Sequence, residues 1–173
     1  MSKMSPRPRR AGLLSSEALD RSRVLDTLVN NLQGMAYRCL NDQHWKMIFV
    51  SEGARELCGY GSAELVEGRA ATWEELTWPE DRQRVRAVIQ ESVRSGRRFG
   101  VQYRIRTASG ELRWVHERGV AVADEQGEIV VEGFIEDISA QRATLEALEQ
   151  AELRYRHIFE HASEGIFQTT ADG

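Results

Sequence analysis

Between Phe99 and Ile138 the chain reads as three extended runs separated by turns too short to hold another element. In "FGVQYRIRT", Phe99, Val101, Tyr103 and Ile105 alternate with Gly100, Gln102, Arg104 and Arg106. Successive strand side chains point to opposite faces, so one set is committed to a core and the other to solvent or a second layer. "SG" at 109–110 turns the chain into "ELRWVHERGVAVAD", and "EQG" at 125–127 turns it into "EIVVEGFIEDI". Connections this short force neighbouring strands to run antiparallel. Upstream, "MAYRCL" and "WKMIFVS" are rich in β-branched and aromatic residues, and the polar turn Asn41–His44 makes them a hairpin.

The segment between the two sheet regions is helical in pattern. "EGARELCGY" reads as a helix closed by Gly61, and "SAELV" as a shorter one. "ATWEELTWPEDRQRVRAVIQESVRSG" holds the longest helix of this region. Pro79 suits its first turn, Glu80 and Asp81 favour its N-terminal dipole, and Gly96 marks its stop. Val85, Val88, Ile89 and Val93 give it a stripe to bury. Two strands, several short helices and a three-stranded meander predict an α+β domain over residues 34–139, one antiparallel sheet with helices on one face.

Both flanks are helical. Residues 14–33 form an amphipathic capping helix, with Ser15 or Ser16 as cap, an apolar face of Leu25, Leu28, Val29 and Leu32, and a stop at Gly34. Residues 140–162 form a second, trailing helix. There Ile138, Leu145, Leu148, Tyr155 and Phe159 fall on heptad a and d positions, with Glu152 the polar exception at an a position. That seam predicts a short parallel coiled coil and hence a parallel homodimer; a helix docked on its own sheet is the alternative. In "GFIEDISAQR" strand passes into helix without a flexible loop. Ser139 suits the cap of the trailing helix, and Asp137 suits its first-turn N–H groups or an Arg of the sheet. A stiff joint of this kind makes Asp137 and Ser139 the expected exit for a signal, with Leu145, Leu148 and Tyr155 as dimer or linker contacts.

The last residues repeat an earlier pattern. "LVNNLQGMAYRCLND" aligns with "FEHASEGIFQTTADG" at an offset of 131 residues, pairing Gly34 with Gly165 and Met35 with Ile166. Residues 163–173 are therefore expected to be the first strand of a second copy of the domain. A length of 173 residues, 41% hydrophobic and 29% charged, fits one full core and a fragment of another.

Composition narrows the function. Lys3, Arg7, Arg9 and Arg10 carry +4 within a basic tail, residues 1–13, expected to be disordered, and the rest of the chain sums to −8. An acidic body excludes a nucleic-acid surface. No apolar run approaches the roughly 20 residues that span a bilayer, so no membrane partner and a cytoplasmic location are expected. Cys39 and Cys58 form no CxxC pair and are read as reduced thiols. His157 and His161 lie four apart, but the string is not H-E-x-x-H, so no metal site is expected. There is no phosphate-binding glycine loop; Gly59 and Gly61 read as helix ends. No catalytic constellation emerges, and the chain is not expected to be an enzyme.

The stretches "FVSEGARELCGY", "WEELTWPEDRQRV", "QYRIRTASGELRWVHERGVAVADEQGEIVVEGFIEDIS" and "YRHIFEHASEGIFQTTADG" resemble the PAS domain family in its bacterial form with a C-terminal PAC motif. The resemblance covers residues 25–173. It implies a five-stranded antiparallel sheet, short helices on one face, dimerisation, and signalling through a flanking helix. It also implies a sensory module of a multidomain signal-transduction protein, with a downstream PAS domain and an output domain in the same chain. A ligand-free dimerisation scaffold, or a regulatory fragment of a diguanylate cyclase or histidine kinase, is the alternative. Many relatives have His-Pro where this chain has Trp78-Pro79, and the family's terminal Asp-Ile-Thr stands here as Asp137-Ile138-Ser139.

Similarity to cofactor-holding relatives implies that Tyr103, Ile105, Val115, Glu117, Val131 and Ile135 face a cavity bordered by Trp73 and Trp78. Trp114 and Phe134 would then lie on the opposite face, under the leading helix. Glu117 is the polar member of an apolar set and is expected to contact a polar ligand group or an internal partner. "GRAATWEE" lacks the cysteine of flavin photoreceptors, and residues 79–96 lack the histidine of haem-binding members. A cysteinyl-flavin adduct and haem are thus not expected, while a small metabolite or non-covalent flavin stays open.

Overall fold

A computed structural model describes residues 11–69 and 71–166. The order is α1 (Ala11–Asn30), β1 (Met35–Leu40), β2 (Met47–Val50), α2 (Ala54–Cys58), α3 (Ser62–Val66), α4 (Trp73–Leu76), α5 (Pro79–Ser95), β3 (Phe99–Arg106), β4 (Leu112–Ala123), β5 (Ile129–Asp137) and α6 (Ser139–Ile166). The five strands form one sheet in the order β2-β1-β5-β4-β3, every neighbour antiparallel. The hairpins β1–β2, β3–β4 and β4–β5 follow from the short turns; β5 then closes the sheet by pairing with β1.

The alternation decides the layers. Phe99, Val101, Tyr103 and Ile105 are all buried on the helix-facing side, with Val115, Glu117, Val131 and Ile135 from β4 and β5. Fully burying an aliphatic side chain contributes about 1.5–3 kcal/mol, so this row anchors the sheet to its helical layer. Helix α5 packs on β3 and β4. It begins at Pro79 and ends at Gly96 in the left-handed conformation, as its signals require. Its buried residues are Asp81, Val85, Ile89 and Ser92, while Val88 and Val93 are half-buried. Asp81 turns inward because Arg104 of the edge strand donates its backbone N–H at 3.0 Å and its Nε at 2.9 Å to the carboxylate.

Three expectations change. Helix α2 closes at Gly59, at φ 84°, rather than at Gly61, which instead precedes α3 as its N-cap. Helix α1 does not cover Trp114 and Phe134: Leu25, Leu28 and Leu32 are 60, 60 and 53% exposed. Two guanidinium groups cover Trp114 instead, Arg142 at 4.0 Å and Arg104 at 5.6 Å from its ring centre. Helix α6 runs on to Ile166, so the strand expected over 163–173 does not begin at Ser163; residues 167–173 lie outside the described residues. The basic tail over residues 1–10 lies outside them too. No helix among the described residues is long and apolar enough to cross a membrane.

Candidate functional site

The centre of the helix-facing side holds a carboxylate. Strand parity puts Glu117 inward between Val115 and Gly119, and it is 3% exposed. Two tyrosines from strands on either side meet it. Tyr37 of β1 donates its hydroxyl to Glu117 Oε1. Tyr103 of β3 donates to Oε2 at 2.6 Å and accepts a 2.8 Å bond from Trp73 Nε1. Tyr37 must cross β5 to reach β4, and it does so over Gly133, its partner in register. A Cβ at Gly133 would lie 2.9 Å from the Tyr37 ring and 2.6 Å from the Arg118 carbonyl oxygen, so only glycine permits this crossing. Trp73 is aimed by the α4 capping box, in which Thr72 N–H donates to Glu75 Oε2 at 2.8 Å and Glu75 N–H to Thr72 Oγ1 at 3.3 Å.

Burial raises the Glu117 pKa, and the two phenol hydrogen bonds offset only part of that rise. Burial, then the Glu117 charge, pushes Tyr37 and Tyr103 upward, so both remain hydroxyl donors. The Cys39 thiol is raised by burial and by Glu117, which makes it a poor nucleophile. The two phenols and the thiol thus hold their protons beside the Glu117 carboxyl.

Around Glu117 the interior is nearly filled. A cavity of about 10 Å³ remains, with Tyr37, Trp45, Met47, Trp73 and Glu117 in its lining, room for about one water. Outside it, between the β1–β2 turn and the α3–α4 loop, lies a groove of about 220 Å³ that shares Trp45, Met47 and Trp73 with the inner cavity. Trp45 is the only non-glycine residue at positive φ among those described, at 52°. Its Nε1 donates to Glu74 Oε2 at 3.0 Å, and Arg86 lies 4.4 Å above its ring and bonds the same carboxylate at 3.2 Å.

Of the eight expected pocket residues, Glu117, Tyr103 and Trp73 come together as one hydrogen-bonded group. Ile105, Val115, Val131 and Ile135 share its layer as apolar floor. Trp78 does not join them. It lies at the β3 edge, its N–H bonded to Arg104 O at 2.8 Å, with Arg104 and Arg106 over its ring at 5.6 and 5.0 Å. Its ring is taken up by these two arginines and not by the Glu117 group. Tyr37 and Trp45 were missed. Tyr37 shares inward parity with Met35 and Cys39, a usable signal; Trp45 follows a polar turn, where side-chain direction has no period to read.

The second feature is the joint between β5 and α6. Asp137 Oδ1 accepts from Ser139 N–H at 2.8 Å, and Oδ2 lies 3.6 Å from Arg113 Nη1. Asp137 thus serves both the helix start and a sheet arginine. Ser139 does not cap α6; its Oγ accepts the Trp114 backbone N–H at 2.9 Å, tying the helix start to β4. Ile138 is buried and donates its N–H to Trp114 O at 2.9 Å. Beyond it, Leu145, Leu148 and Tyr155 are 59, 64 and 70% exposed.

Comparison with known proteins agrees with this architecture. A family model described as the PAS fold matches residues 47–135. The methyl sulfide methyltransferase-associated sensor of Methanosarcina acetivorans is 31% identical over 133 residues, covering 76% of this chain and 13% of that protein. The uncharacterized protein y4lL of Sinorhizobium fredii is 30% identical over 119 residues, covering 68% and 14%. The chain thus spans only about an eighth of either curated relative. Among solved structures, a sensory box histidine kinase/response regulator from Burkholderia thailandensis superposes with a TM-score of 0.57 at 25% identity, covering 79% of this chain and 98% of that one. The N-terminal domain of a diguanylate cyclase with PAS/PAC sensor from Marinobacter aquaeolei shares the fold, with a TM-score of 0.52 at 20% identity, covering 64% and 99%.

Proposed function

Because the chain belongs to the PAS fold family, we propose that it is the sensory and dimerisation module of a multidomain signal-transduction protein. A change in the interior or at the dimer interface alters β5, and α6 carries that change to an output domain. The names of the similar proteins, a sensor and a sensory box histidine kinase, support the class of role. The joint carries the reading. Ile138 and Ser139 fix the start of α6 to Trp114 of β4 through two bonds of 2.9 Å, and Asp137 at the end of β5 holds the Ser139 N–H at 2.8 Å, so the helix start is tied to both strands. The exposed row Leu145, Leu148 and Tyr155 is the surface for a parallel homodimer.

Asp137→Ala tests the joint. Losing a side chain that satisfies a helix's first-turn N–H costs about 0.5–2 kcal/mol. Amide exchange at Ser139 and the next turn should therefore speed up about two- to thirtyfold, with β1 and β2 unchanged. Equal exchange in variant and wild type would remove Asp137 from the relay. One observation favours a second reading, a ligand-free dimerisation scaffold: the interior cavity of about 10 Å³ is smaller than any metabolite.

A further inference from the structure

The interior carboxylate lacks a counter-ion. Among the described residues, its hydrogen bonds come from two neutral phenols, Tyr37 and Tyr103, and no Arg, Lys or His is paired with it. A buried carboxylate held only by neutral donors is electrostatically incomplete, because burial is least costly when a cation or a metal shares the site. The surroundings also have a chemical bias. Tyr37, Trp45 and Trp73 share one small cavity with Glu117, and Tyr103 is hydrogen-bonded to both Glu117 and Trp73. Aromatic rings around a carboxylate favour an organic ammonium ion, through ring-face attraction and charge pairing together. An anionic ligand would meet the Glu117 charge, and a purely apolar one would leave it unpaired.

The inner cavity and the outer groove share walls. Trp45, Met47 and Trp73 line both the inner cavity and the outer groove of about 220 Å³. Trp45 is the part suited to move. A φ of 52° is a conformation that a bulky residue keeps only while its surroundings hold it, and here the holders are Glu74 and Arg86. Swinging Trp45 outward would relax its backbone and join groove to cavity.

We propose that the interior is a receptor for a small organic ammonium ion, which enters past Trp45 and sets its nitrogen against Glu117 in place of a tyrosine hydroxyl. The proposal rests on the sensory reading and names the ligand class of that same site. Since Glu117 pairs with Ile135 in the β4–β5 register, a ligand there acts on the strand that leads to Asp137.

The test uses the four tryptophans as reporters. In nitrogen–proton spectra of the whole chain, choline and ethanolamine are titrated at matched ionic strength, with 3,3-dimethyl-1-butanol as the uncharged isostere of choline. The indole signals of Trp45 and Trp73 should shift saturably with an ammonium ion, those of Trp78 and Trp114 should stay, and the isostere should be inert. Preference for choline assigns a methylated ammonium, preference for ethanolamine a primary one. Glu117→Gln should weaken binding by about tenfold or more. If that variant does not fold, the isostere comparison on the wild type decides alone. Equal shifts with the isostere, or no saturable shift at Trp45 and Trp73 with either ammonium at about 10 mM, overturn the proposal. Such a failure leaves the relay standing, because the Asp137→Ala exchange experiment needs no ligand.

Discussion

Glu117 tolerates its position because each carboxylate oxygen has a phenol donor. Its pKa is raised above the ordinary 4.5 by burial, so folding favours the protonated form. The sign follows: this group's contribution to stability is greatest in acid and falls as pH rises from about its unfolded value toward its folded one. Tyr37→Phe removes a donor to the charged form and raises the pKa further. It should destabilise the protein by about 1–3 kcal/mol at neutral pH, and by less as the pH approaches 4.5. Urea unfolding of both proteins at the two pH values checks this; an equal cost at both would mean that the Tyr37 hydroxyl does not serve an ionised Glu117. Strand alternation made Glu117 legible as the one charged residue in an apolar row. Its partners were only half legible, because Tyr103 lies in the same meander whereas Tyr37 reaches β4 by crossing Gly133, a register no local pattern encodes.

At the scale of elements, the alternating strands and the α5 boundaries could be read directly, since period, Pro79 and Gly96 each have a local physical cause. The fate of amphipathic faces could not. The apolar face of α1 shows that the helix has something to bury, not where. In the structure Leu25, Leu28 and Leu32 face outward, while Arg142 and Arg104 occupy the Trp114 face. The α6 seam divides as well: Ile138 docks into the domain and Leu145 onward stands clear. The stretch from Leu145 onward is the surface that the proposed parallel dimer would use. Single cysteines at Leu145 or Leu148 should crosslink between chains under mild oxidation, because parallel helices bring like core positions together. The native thiols Cys39 and Cys58 are buried and should not compete. Failure at both positions would count against the parallel arrangement.

For the molecule as a whole, the proposed relay runs from the interior through one strand to one helix. Glu117 lies opposite Ile135, and Val115 opposite Asp137, so the carboxylate and the joint are neighbours along one pair of strands. The joint's place in that path was legible from "GFIEDISAQR", but the division of labour within it was not. Ser139 bonds sideways to Trp114 because α6 starts beside β4, a tertiary relation outside the local sequence. The relay is tested most directly by a distance distribution between spin labels at Arg118→Cys on exposed β4 and Leu148→Cys on α6, in labelled chain diluted with unlabelled chain. The wild type should give one narrow distribution, and Glu117→Gln should shift or broaden it by altering the interior that β5 packs against. Identical narrow distributions in the two proteins would contradict coupling between the Glu117 cluster and the exit helix.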